Sequence, residues 1–137
     1  MSTVLVTRKA HFSASHRLYN PAWPDERNQK VFGKCNNPNG HGHNYDIEVT
    51  VAGAPPADTG MVIDLKKLAD IIEEEIVEKV DHKHMNLDVD FLRGVVPTAE
   101  NMAIAFWKVL EPRITEGKLA RIRLYESENN FVEYTGG

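Results

Sequence analysis

Apolar side chains recur at every second position in several stretches of this chain, and at helical spacing in two others. In the first stretch, Val4, Val6, Ala10, Phe12 and Ala14 alternate with Thr7, Lys9, His11, Ser13 and Ser15. That period of two predicts one long strand from Val4 to Leu18, with Arg8 as the expected point of a β-bulge. His16 falls on the apolar side at the strand's end. Between Tyr19 and Gln29, Asn20-Pro21 and Trp23-Pro24-Asp25 are loop signals. Tyr45, Ile47, Val49 and Val51 then alternate with Asp46, Glu48 and Thr50, a second strand. His41 and His43 share the odd parity of its apolar face. Residues 54–60 read as a turn, and Met61-Val62-Ile63 as a short third strand.

The period then changes to 3.6. Leu65, Leu68, Ala69, Ile72, Ile76 and Val80 predict a helix over about 65–79, capped by Asp64, with Glu73, Glu74, Glu75 and Glu78 as its solvated face. Asp81-His82-Lys83-His84 closes it, and an irregular stretch leads to Pro97. Thr98 caps a second helix whose stripe is Met102, Ala105, Phe106, Val109 and Leu110, ended by Pro112 and Gly117. A final hairpin follows. Ala120, Ile122 and Leu124 alternate with Arg121, Arg123 and Tyr125, and Phe131–Tyr134 returns. Hairpin-linked strands with a pair of helices argue α+β, an antiparallel sheet with helices on one face. The other face and the edges of so small a sheet need cover, which self-association supplies.

At 137 residues the chain is read as one domain, 1–137, with a core that needs no disulfide. A net charge of −4 without a Lys/Arg cluster argues against nucleic acid as a partner. No apolar run reaches membrane length and no secretory leader is evident, so a membrane is not expected either. A single cysteine fits a reducing compartment, and the expected location is cytoplasmic.

Candidate chemistry concentrates in Phe32–Tyr45, which holds that cysteine, Cys35, and the pair His41-Gly42-His43. Residues i and i+2 of a strand point the same way, about 6.5–7 Å apart, so two imidazoles can converge on one metal ion. H-x-H alone is a modest signal, since two histidines can merely decorate a glycine-rich turn. His16 would make the set His₃, the open coordination of a catalytic zinc. A lone cysteine is most often a small buried hydrophobe. Cys35, however, lies in a polar turn beside Lys34, a setting for a thiolate that acts as base or nucleophile. Asp81 and His82 can project from one turn, the carboxylate raising the imidazole pKa and fixing its tautomer, although histidines also suit any helix C-terminus. Glu126 continues the parity of Ile122 and Leu124. A carboxylate on that face calls for a donor with two parallel N–H groups, unless it is a solvated turn residue like Glu128.

Five blocks together are more specific than any of these. Phe12-Ser13-Ala14-Ser15-His16-Arg17-Leu18, the run from Phe32 to Tyr45, Asp81-His82-Lys83, Pro97-Thr98-Ala99-Glu100-Asn101 and Tyr125–Asn130 resemble the 6-pyruvoyl-tetrahydropterin synthase family, in order and spacing. The resemblance implies the tunnelling fold: a four-stranded antiparallel sheet of long bulged strands, two helices on one face, and sheets joined into a barrel by oligomerisation. It implies a homohexamer, a dimer of trimers, with sites at subunit interfaces. It implies one zinc per subunit on His16, His41 and His43, Cys35 as proton acceptor, and Asp81 and His82 as a relay from a neighbouring subunit. Glu126 would anchor the pterin, with Thr98 lining its pocket. The implied reaction converts 7,8-dihydroneopterin triphosphate to 6-pyruvoyl-tetrahydropterin with loss of triphosphate. A related activity of the same superfamily, 6-carboxytetrahydropterin synthase of queuosine biosynthesis, uses the same substrate and releases acetaldehyde. A module that only binds metal or pterin is the non-enzymatic alternative. Asn36-Asn37-Pro38-Asn39 favours the pyruvoyl branch. Lys30, Lys34, Arg17 and Lys83 are the candidate cations for the triphosphate. The chain departs from the family at His84-Met85, where Asn-Leu is common, and His84 is expected to be a bystander. Pro97 stands where animal members tend to have serine.

Overall fold

The structure is a computed structural model and describes residues 2–137. Four strands, β1 (Val4–His16), β2 (His41–Gly53), β3 (Lys118–Tyr125) and β4 (Phe131–Tyr134), form one antiparallel sheet in the order β1-β2-β3-β4. β1 and β2 pair without interruption from Val4↔Gly53 to His16↔His41. Arg8 is therefore not a bulge. It is exposed on a part of β1 whose neighbours Val4, Val6 and Ala10 are themselves not fully covered, so its charge needs no local distortion. The break in register falls elsewhere, between Thr50 and Val51, which pair with Arg121 and Leu119. Ala120 is the extra residue, so Leu119 rather than Ala120 joins Ile122 and Leu124 in the core.

Two further elements differ from the pattern in the chain. Met61–Ile63 forms a bend, not a strand, because both edges of β2 are already taken by β1 and β3. Val62 and Ile63 are still buried. A helix, α1 (Asp25–Phe32), occupies part of the expected loop. It has no apolar stripe to announce it, and its one buried side chain is polar. Asn28 Nδ2 donates to Asn20 O (2.9 Å) and Asn28 Oδ1 accepts from Asn20 N–H (2.8 Å). Amide pairing ties α1 to the loop before it, and Phe32 at its end stacks on Trp23 at 6.0 Å.

The second helix, α2, begins as Leu65–Ile72, passes through a π turn over Glu73–Val77 and closes with Glu78–Val80. Asp64 caps it, accepting from Lys66 N–H at 2.9 Å. Leu68, Ile71, Ile72, Ile76, Val77 and Val80 are buried, whereas Leu65 is exposed. The third helix, α3 (Ala99–Leu110), is capped by Thr98, whose Oγ1 accepts from Asn101 N–H at 3.2 Å. Met102, Phe106 and Leu110 face the sheet's apolar side, and Phe12 stacks on Tyr45 (4.9 Å) and meets Phe106 edge-on (5.9 Å). The opposite sheet face is polar, with Thr7 and Thr50 hydroxyls bonded at 2.7 Å and Arg123 paired with Glu133. Among the described residues, no helix is long and apolar enough to cross a membrane.

Candidate metal centre and its surroundings

The alternation that fills the core also aims three imidazoles. His16 ends β1 directly across from His41, and His43 lies two residues further along β2, in phase with Tyr45, Ile47 and Val49. The ring centroids are 4.5 Å (His16–His41), 5.1 Å (His16–His43) and 4.9 Å (His41–His43) apart. One nitrogen from each lies within 4.8 Å of the others. His16 Nε2, His41 Nδ1 and His43 Nε2 are buried with no hydrogen-bond partner. Three orphaned nitrogens in one place are costly unless something accepts their lone pairs. A metal ion does so, and imidazole donors suit zinc among other transition metals.

The surroundings keep the set in its ligating form. His16 Nδ1–H donates to Pro97 O at 2.8 Å, which orients the ring and leaves the Nε2 lone pair free. His16 has no exposed surface, and burial, joined by the nearby imidazoles, lowers its pKa to about 4, partly offset by the Pro97 bond. Burial likewise lowers the pKa of His41, helped by His43 and opposed by Glu126. Tyr45 lies beneath, its hydroxyl 3.4 Å from His16 Nδ1, and burial raises its pKa. Past His16, Asn86 clamps the chain, accepting from Arg17 N–H and donating to Arg17 O, both at 2.8 Å. Gly40 must stay small. Its φ is +75°, and a Cβ there would lie 2.9 Å from His84 Nε2 and 3.1 Å from His16 O.

Glu126 reaches the rim of the cluster, with Oε1 3.7 Å from His43 Nε2. That separation is too long for a hydrogen bond, so Glu126 acts there through its charge. It borders a small cavity between the β3–β4 turn and the start of α3, lined by Ala99, Glu100, Asn130, Phe131 and Val132. The Thr98 hydroxyl is engaged as the α3 cap.

Asp81 and His82 occupy the free edge of β1. Asp81 Oδ1 accepts from Ser13 N–H at 2.9 Å, and His82 N–H donates to Ser13 O at 2.6 Å. Asp81 Oδ2 lies 2.9 Å from His82 Nδ1, so the adjacent carboxylate and imidazole do bond each other. The Ser13 N–H, and secondarily His82, holds Asp81 below the usual carboxylate range. His82 has φ +61°, the one non-glycine residue among those described with positive φ. The chain continues along β1, with Ser15 N–H donating to Lys83 O (3.0 Å) and Met85 N–H to Ser15 O (2.7 Å). Cys35 lies in a 3₁₀ turn, Gly33–Asn36, half-buried, its carbonyl accepting from Leu18 N–H at 2.8 Å. Among the described residues, no hydrogen bond or ion pair links the Cys35 side chain to Asp81 or His82.

The fold thus gathers His16, His41, His43 and Glu126 in one chain, ties the Cys35 turn to Leu18, two residues past His16, and sets Asp81–His82 on the outer edge of β1. Pro97, Tyr45 and Asn86 are the supports that residue patterns did not reveal. Pro97 and Asn86 act on backbone groups or through a carbonyl, which residue type does not signal. Tyr45 reads as an ordinary strand aromatic.

A family model described as 6-pyruvoyl tetrahydropterin synthase matches residues 5–137. The chain belongs to the 6-pyruvoyl tetrahydropterin synthase family. It is 48% identical to human 6-pyruvoyl tetrahydrobiopterin synthase over 131 residues, covering 96% of this chain and 90% of the human protein. The solved structure of 6-pyruvoyl tetrahydropterin synthase from Caenorhabditis elegans superposes with a TM-score of 0.94 at 37% identity, over 100% of this chain and 98% of the nematode chain. A more distant relative, 6-carboxy-5,6,7,8-tetrahydropterin synthase of Rickettsia bellii, is 28% identical over 93% of this chain and 96% of that protein. The nematode structure thus shares the four-stranded antiparallel sheet and its helices.

Proposed function

We propose that this chain is a zinc-dependent 6-pyruvoyl-tetrahydropterin synthase that converts 7,8-dihydroneopterin triphosphate to 6-pyruvoyl-tetrahydropterin and inorganic triphosphate. The observation that carries the reading is the trio His16, His41 and His43, three buried nitrogens of which have no hydrogen-bond partner, with Glu126 at its rim. Zinc held there would supply a Lewis acid for the side-chain oxygens of the substrate.

The chain's own residues would do the rest. Glu126 would accept the exocyclic amine and the adjacent ring N–H of the pterin in parallel, orienting the ring over the cavity beside α3. Thr98 would border that pocket while capping α3. The Cys35 thiolate would remove a carbon-bound proton from the side chain. Asp81, by accepting from His82 Nδ1–H, would hold His82 Nε2 ready to take up and return protons. The oxidation of one side-chain carbon is matched by reduction within the same molecule, so no external redox cofactor is required. Cys35 and the Asp81–His82 pair would meet across subunits of a homohexamer, and the expected location is cytoplasmic.

The second reading, 6-carboxytetrahydropterin synthase, is kept open by the Rickettsia relatives. The identities favour the first, 48% against 28%. Mass spectrometry of the product made from 7,8-dihydroneopterin triphosphate separates them. The pyruvoyl product is expected, and a carboxy-pterin with acetaldehyde would overturn the assignment.

A further inference from the structure

Arg17 follows the candidate metal ligand His16, and by residue type it is a candidate cation for the triphosphate. The structure directs its donors elsewhere. Nε donates to Asn36 O at 3.0 Å and also lies 3.2 Å from Asn36 Oδ1, to which Nη2 donates at 2.9 Å. The guanidinium sits 3.9 Å over the Tyr19 ring, which fixes its plane. The Arg17 backbone is held as well, its N–H and its carbonyl both bonded to Asn86. What this anchored fork grips is the residue next to Cys35.

Asn36 is only 6% exposed, so removing Arg17 would leave its Oδ1 a buried acceptor without that donor. The turn is also tied through its backbone. Leu18 N–H donates to Cys35 O at 2.8 Å, joining the turn to the chain just past the end of β1. On the other side, Asn37 N–H donates to Lys34 O (3.2 Å) and Gly40 N–H to Asn37 O (2.8 Å). Those two bonds close the turns that deliver the chain to His41, where β2 begins. Cys35 is therefore bracketed between the strand ends that carry His16 and His41. Arg17 supplies the side-chain part of that bracket. A lysine would keep the charge but lacks the planar fork that meets a carbonyl and an amide oxygen together.

We propose that Arg17 is a positioning residue that fixes Cys35 relative to the metal-bearing ends of β1 and β2 by gripping Asn36, and is not a cation for the phosphate chain. The proposal rests on the synthase reading and deepens it. A base and a metal that act on one side chain must keep their separation, and a displacement of about 1 Å costs about a hundredfold in rate.

The test compares zinc-loaded wild-type protein with Arg17→Met, Arg17→Lys, Asn36→Ala and the Arg17→Met/Asn36→Ala double variant. One readout is kcat and KM for 7,8-dihydroneopterin triphosphate. The other is the rate at which iodoacetamide alkylates Cys35, the chain's single cysteine, which requires no activity. Arg17→Met and Asn36→Ala should each lower kcat about thirtyfold with KM within about threefold. The double variant should be no worse than either, because both changes remove one interaction. Arg17→Lys should stay close to Arg17→Met. All four variants should alkylate about tenfold faster than wild type as the half-buried turn loosens. A raised KM at unchanged kcat in Arg17→Met would mark a phosphate cation and overturn the positioning role. Restoration in Arg17→Lys, additive losses in the double variant or unchanged alkylation rates would overturn it equally. If Arg17→Met does not fold, Arg17→Lys and Asn36→Ala decide by the same criteria. Wild-type protein that forms no pterin product would contradict the synthase reading alone, and the alkylation rates would still decide whether Arg17 holds the Cys35 turn.

Discussion

His16 and the Asp81–His82 pair are held by the same strand and could hardly be held more differently. His16 projects from β1 into the core, flanked by two cross-strand imidazoles and fixed through Pro97 O. Asp81 and His82 grip the backbone of β1 at Ser13 from outside, and the His82 side chain is 81% exposed. Convergence of three ligands on one ion needs rings that cannot wander, and a packed interior supplies that rigidity. A proton relay needs an open nitrogen that substrate or a second subunit can reach, and a strand edge supplies that access. The positive φ of His82 is the strain that goes with turning the chain sharply from the end of α2 onto that edge.

If the two regions do separate work, variants should divide cleanly. The largest effect is expected at Cys35. Cys35→Ala should lower turnover about a thousandfold while metal content stays at one per chain, measured by single-turnover kinetics and metal analysis on the same sample. His82→Ala should cost about a hundredfold, again with metal retained. Metal loss in His82→Ala would mean that the edge and the core site are not independent.

Much of the core region was legible because period-two alternation runs unbroken through His41, His43 and Tyr45, and through Phe12, Ala14 and His16. Parity alone put all three imidazoles on the buried side. The cross-strand pairing of His16 with His41 was not legible, since residues 17–40 intervene and register is set by the whole β1–β2 ladder. The edge region was harder to read. Nothing in Asp81-His82 announces a left-handed residue or a backbone grip on Ser13. No apolar stripe signals α1, because its one buried side chain is Asn28, paired with Asn20, and hydrophobic periodicity cannot detect that. The Ala120 bulge was hidden because Leu119 and Ala120 are both apolar, so the pattern does not reveal which one faces the core.

Smaller effects probe how tightly the core site is built. In the metal-free protein, His16 takes its proton at about pH 4 when folded and near 6.5 when unfolded. Between those values the unfolded chain holds the extra proton. The contribution of His16 is therefore intact above pH 6.5, declines as the pH falls toward 4, and amounts to about 3 kcal/mol across the window. Denaturant titrations of metal-free wild-type and His16→Gln protein at pH 7.5 and 4.5 should show a steeper acid loss in the wild type. Equal losses would place His16 in a less buried environment. Gly40→Ala should destabilise by about 1–2 kcal/mol, since an αL backbone and a clash with His84 and His16 coincide there. Thr98→Ala should cost about 1 kcal/mol through its lost cap, readable as a lower denaturation midpoint.

The most direct measurement is zinc per chain, determined side by side in wild-type, His82→Ala and His16→Ala protein purified without chelator. One zinc per chain is predicted for the first two and none for His16→Ala. Stoichiometric zinc retained by His16→Ala would contradict the three-histidine centre.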